Sequence, residues 1–92
     1  MPYIKQYERE QIDPAIFALV EALGRLRVGS MAGYLNYAIT RLVLGTLLNE
    51  PSYLQIATAT GVLENVKLEL YRKLAAPYED NKAKVNGEVF PV

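Results

Sequence analysis

Neither cysteine nor histidine occurs anywhere in this chain of 92 residues. Without disulfides or thiolate and imidazole zinc ligands, such a chain has only apolar burial to hold it together. At this size burial covers about 65% of the surface that the unfolded chain exposes, so the apolar residues must be arranged economically. They are plentiful: 51% of residues are hydrophobic and 22% are charged. That is too apolar for a disordered tail, and no run of about 18 apolar residues suggests a membrane span. One small domain over residues 1–92 is expected. Tryptophan is missing as well. The same absences remove cysteine nucleophiles and the commonest general base, which disfavours an enzyme.

Charge narrows the partners. Ten Lys and Arg balance ten Asp and Glu, so the electrostatic footprint of a general nucleic-acid binder is missing. Met1 to Gln6 has neither the basic region nor the apolar core of a signal peptide. The cytoplasm is therefore the expected compartment, with no membrane association.

Periodicity points to helices. Pro2-Tyr3-Ile4 reads as a short extended arm and Lys5 to Gln11 as a polar surface segment. Asp13-Pro14 supplies a start signal, because aspartate accepts from free amides and proline suits the first helical position. The pattern predicts a helix from about Pro14 to Val28, with Ile16, Leu19, Val20, Leu23 and Leu26 on its buried face. Gly29 to Gly33 reads as a turn. A second helix is expected from about Gly33 to Asn49, amphipathic at first, with Leu35, Ala38, Ile39 and Leu42 on one side. Its later part, with Leu42, Val43, Leu44, Leu47 and Leu48, is apolar all round and asks to be covered by other helices or by another copy.

Glu50-Pro51 ends that helix, and Ser52 with Gln55 forms a capping-box pattern for a third, over about Tyr53 to Ala76. Its core stripe is Val62, Leu63, Val66, Leu70 and Leu74, with Gly61 marking a bend or a close helix contact. Pro77 predicts a kink or a stop. After it, Tyr78 to Lys84 fits a short fourth helix, acidic early and basic late. Asn86-Gly87 fits either a helix cap or a two-residue hairpin, and the pattern leaves both open. The expected fold is therefore all-α: a compact bundle of three main helices with a kink or short fourth helix near Pro77, extended termini and at most a minor β-hairpin. The apolar second helix makes a homo-oligomer the expected assembly.

Four segments carry a resemblance: Met1 to Ile4, Gly33 to Thr40, Leu70 to Asp80, and Asn86 to Val89. Together they resemble a family of small uncharacterised proteins of tailed phages and prophages, the Ala-Pro-Tyr-Glu-Asp segment at Ala76 to Asp80 being the most specific piece. The resemblance covers nearly the whole chain and implies a phage accessory protein acting in the bacterial host cytoplasm. It brings no established activity and no cofactor. Such proteins resemble, as a group, inhibitors and sponges, and some helical ones assemble into oligomers that sequester cyclic nucleotides of bacterial immunity. The implied functions are an anti-defence sponge for a small anionic ligand of nucleotide type or a module that inhibits or recruits a host protein.

Two residue sets carry suitable chemistry. Tyr71, Arg72 and Tyr78, with Lys82 beyond, combine rings that stack on a base with a guanidinium that holds phosphate. Their plain alternative is an Arg72–Glu69 pair with the tyrosines closing the core. Asn36, Tyr37, Thr40 and Arg41 lie on adjacent faces of the second helix, where amide and hydroxyl groups can read polar edges and arginine can answer charge. Their plain alternative is a solvated face. In an oligomer both sets could line a cleft between copies. Glu79 and Asp80, adjacent in sequence, do not converge as a metal or acid–base pair and read as a charge pair at a helix start. Neither a glycine-rich phosphate loop nor a metal site is expected.

Overall fold

A computed structural model of the chain describes residues 3–26 and 29–91. It is all-α: α1 spans Gln6–Gly24, α2 Met31–Thr46 and α3 Tyr53–Leu70, followed without a break by a π-helical turn at Tyr71–Ala75 and by α4 at Ala76–Asn86. No strand occurs among the described residues, and the described ends lie outside the helices. The first helix ends at Gly24, short of the expected Val28, so Leu26 lies beyond it rather than on its buried face; Val28 itself and the Pro2 start of the arm lie outside the described residues.

α1 begins earlier than the Asp13-Pro14 signal predicts. Glu8 closes its first turn by accepting from the Lys5 backbone N–H with Oε1, at 3.1 Å, and the Arg9 Nε donates to the Ile4 carbonyl at 3.0 Å. Pro14 consequently sits inside the helix. It cannot donate to the Glu10 carbonyl, but that residue lies on an exposed stretch open to solvent.

α2 starts after Ser30 and ends at Thr46, short of the expected Asn49. Its end is closed by the Leu48 N–H, which donates to the Val43 carbonyl at 3.0 Å. Ser52 then caps α3 as expected, its Oγ accepting from the Gln55 N–H at 3.2 Å. The Gln55 side-chain amide, with its nitrogen turned to donate, ties back to the carbonyls of Glu50 and Leu47. The second half of the expected capping box is therefore not made, the Gln55 side chain holding the preceding turn instead of the Ser52 N–H.

Two expectations for the third helix are revised. Gly61 marks neither bend nor contact: α3 runs through it, and a Cβ built there would meet nothing within 4 Å. At Pro77 the short fourth helix is present as expected, as α4, but it is joined to α3 through the π turn rather than by a stop. The Ala76 N–H reaches back five residues to the Tyr71 carbonyl, and Pro77 enters in the first turn of α4, where its missing donor costs little. One residue is thereby inserted into the helical register. The open choice at Asn86-Gly87 is settled as a cap: Gly87 has φ +98° and its N–H donates to the Ala83 carbonyl at 2.9 Å.

The single chain is spread openly. Its radius of gyration is 17.2 Å, against about 12 Å for a compact domain of this length. Its accessible surface is 8228 Å², against about 5,400 Å² for a compact monomer of this mass. Ala59 alone among the described residues is buried, at 2% exposure. It lies at the centre of the α3 stripe, with Val62, Leu63, Val66 and Leu70 within about 60° on either side of it around the helix. All four are exposed by 42% or more.

Candidate functional site

On α2 the predicted polar residues form a ridge of two side-chain pairs on adjacent faces of the helix. The Arg41 Nη1 donates to the Tyr37 Oη at 2.6 Å, and its guanidinium carbon lies 5.6 Å from the Tyr37 ring centroid. This is a geometry within reach of cation–π attraction. About 100° round the helix, the Thr40 Oγ1 donates to the Asn36 carbonyl at 2.7 Å and lies 3.4 Å from Asn36 Oδ1. Helical spacing explains both pairs, since residues four apart stand one above the other.

The ridge separates two grooves. One, of about 600 Å³, is lined by Ala32, Gly33, Asn36, Tyr37 and Thr40. The other, of about 440 Å³, is apolar and runs between α1 and α2, with Leu19, Leu23 and Leu26 facing Tyr34, Ala38 and Leu42. Tyr37 lines both. Arg41 has no carboxylate within 4.0 Å among the described residues, where the ion pairs are Arg25–Glu21, Lys67–Glu64 and Arg72–Glu69. An arginine held only by a tyrosine hydroxyl and free of acid keeps its charge available to an incoming anion.

The second predicted set is shared between two depressions, with Tyr71 lining both. Arg72 takes its plain role: its Nη2 lies 3.1 and 3.0 Å from the two Glu69 carboxylate oxygens. That pair borders a depression of about 400 Å³ shared with Asn65, Leu68 and Tyr71. Tyr71 and Tyr78 do come together, in a groove of about 600 Å³ that also holds Lys82 and the Gly87 to Phe90 tail. The Lys82 Nζ lies 5.6 Å from the Tyr78 ring centroid. Glu79, Asp80 and Glu88 line this groove as well, so its charge opposes a phosphate.

Tyr71 shows what the inserted residue achieves. In an uninterrupted α-helix residues eight apart are about 80° out of line, and a one-residue insertion brings them to about 20°. The Tyr71 Oη accordingly donates to Glu79 Oε1 at 3.2 Å. That hydrogen bond, then the negative charge of Glu79, burial and Asp80 push the Tyr71 phenol above its ordinary value of 10.0. Glu79 stands in the first turn of α4, as its place in the sequence suggested.

Tyr34 was missed. It lines the apolar groove, and its hydroxyl stands against Gly29, whose φ is +99°. Its signal was present in the sequence, because Tyr34, Ala38 and Leu42 form a row four residues apart.

Among the described residues no three acidic side chains converge as a metal site, and no helix is long and apolar enough to cross a membrane. A family model described as Domain of unknown function (DUF6899) matches residues 1–89. Neither a curated protein nor a solved structure matches the chain.

Proposed function

We propose, on the premise that this chain belongs to the DUF6899 family, that it is a non-enzymatic binding protein of phage type that sequesters a small anionic ligand of the nucleotide class in the host cytoplasm. Its contact surface is the α2 ridge of Asn36, Tyr37, Thr40 and Arg41. The observation that carries this reading is Arg41, hydrogen-bonded to the Tyr37 hydroxyl and without an acidic partner among the described residues. Tyr37 offers a ring face to a base, and Arg41 exchanges the Tyr37 hydroxyl for phosphate oxygens in charge-assisted hydrogen bonds. The Asn36 amide, free to donate, reads a polar base edge. Arg72, held by Glu69, and the acid-lined groove of Tyr71 and Tyr78 contribute less to anion binding.

The test is calorimetry against a panel of linear and cyclic nucleotides. A charge-assisted bond is worth about 1.5–3 kcal/mol, so Arg41→Ala weakens binding at least about tenfold without unfolding the exposed helix. Arg72→Ala leaves affinity unchanged. A parent that binds none of the panel, or an Arg41→Ala variant that binds like the parent, refutes the reading.

A second reading, a protein-interaction module acting on a host protein, is supported by the breadth of exposed apolar surface, from Phe17 at 67% to Leu54 at 73%. The two differ in thermal shift. A sponge gains stability from small nucleotides, whereas an interaction module gains it only from its partner protein.

A further inference from the structure

We propose that the apolar groove between α1 and α2 seats the α3–α4 arm of a second copy of this chain, with the exchange made reciprocally. The proposal concerns assembly and does not depend on the ligand reading.

The accessible area supplies the first argument. The chain exposes about 2,900 Å² more than a compact monomer of its mass would. Covering that excess on two chains buries an area in the range of obligate homodimers, which runs from about 2,000 to above about 5,000 Å². A water-filled surface of this size on one chain, without disulfide or metal staples, leaves the fold too little burial to offset its chain entropy.

Complementarity supplies the second. The groove is a trough of aliphatic side chains, Leu19, Leu23, Leu26 and Leu42, rimmed by Tyr34 and Arg41. The α3 stripe is an aliphatic ridge with almost nothing upon it: Leu63, Val66 and Leu70 are 42%, 49% and 55% exposed. Their lengths are close, since the α2 wall of the groove from Tyr34 to Leu42 covers about 12 Å of helix and Leu63 to Leu70 about 10 Å. The chain's own arm does not fill its own groove, whose lining comes from α1 and α2. A ridge and a trough that remain apart within one chain, yet match in length and chemistry, are satisfied by a two-fold pair, which closes without leaving either exposed.

The expected mass of the full chain in light scattering at micromolar concentration, without nucleotide, is at least twice that of one chain. A single-chain mass overturns the proposal. Because the sequence has no cysteine, introduced thiols report without background. A chain carrying Leu23→Cys with one affinity tag is unfolded and refolded with a chain carrying Val66→Cys and another tag, then oxidised. Circular dichroism confirms that both variants keep the helical content of the parent. The expected product is a disulfide between the two differently tagged chains. Cross-links of Leu23→Cys only to itself, closure within a single chain carrying both substitutions, or no cross-link each overturn the arm exchange. A negative nucleotide panel leaves these outcomes unaltered, and failure here leaves the calorimetry to stand alone.

Discussion

Replacing Gly61 by alanine stabilises this protein. In the middle of α3 the glycine gives up more backbone freedom on folding than alanine does, a difference of about 0.8–1.0 kcal/mol in a helix interior. Whether the gain is realised depends on what the new methyl group meets. A Cβ at Gly61 has no heavy atom within 4 Å. On the helical wheel the position also lies about 160° from Ala59, on the side opposite the apolar stripe, so a second copy seated on that stripe leaves it free. The full propensity difference should therefore appear. For a domain of this size it raises the melting temperature by about 3–8 °C. The assay is thermal unfolding followed by circular dichroism at 222 nm, with parent and variant at equal concentration because assembly makes melting concentration-dependent. A melting temperature that stays level or falls refutes the reasoning, and would mean that the face bearing Gly61 is covered by a closely packed helix.

Two further predictions follow from local geometry. Gly29→Ala has the opposite sign: its φ of +99° disfavours a side chain and the new Cβ would stand 2.5 Å from the Tyr34 hydroxyl, so a loss of about 1–2 kcal/mol or more is expected in chemical denaturation. Tyr34→Phe removes the clashing oxygen and should recover part of that loss but not the cost of the backbone conformation. The Tyr71 phenol, raised by its hydrogen bond to Glu79, holds its proton more tightly folded than unfolded. Its contribution is thus complete below the ordinary tyrosine value and is lost as pH rises through the raised one. Tyrosinate absorbance at about 295 nm should show that Tyr71→Phe removes a titration above that value and that Glu79→Gln lowers it, and a Tyr71 titration unmoved by Glu79→Gln would count against the contact.

What could be read in the residues themselves was local or periodic. The α-helical class, the Ser52 cap, the stripe on α3, the Arg72–Glu69 pair and the four-residue ridge of Asn36, Tyr37, Thr40 and Arg41 all depend on interactions within one or two helical turns, which spacing encodes directly. Start and stop signals were less decisive, because they compete. Asp13-Pro14 carries a sound start pattern, yet the Lys5–Glu8 closure upstream wins, as a helix tolerates a proline on a stretch open to solvent. The Asn86-Gly87 pair is compatible with two structures in sequence and becomes a cap only because the helix arrives at it.

The tertiary structure decided what depends on register and on separate elements meeting. The π turn before Pro77 rotates everything after it, and only that rotation sets Tyr71 over Glu79. Likewise, the row of Leu19, Leu23 and Leu26 becomes a groove only where α2 lies beside it. Spacing along one helix says which side is apolar, but the neighbour that side faces, and whether the chain itself supplies that neighbour, is a property of three-dimensional packing that no periodicity contains.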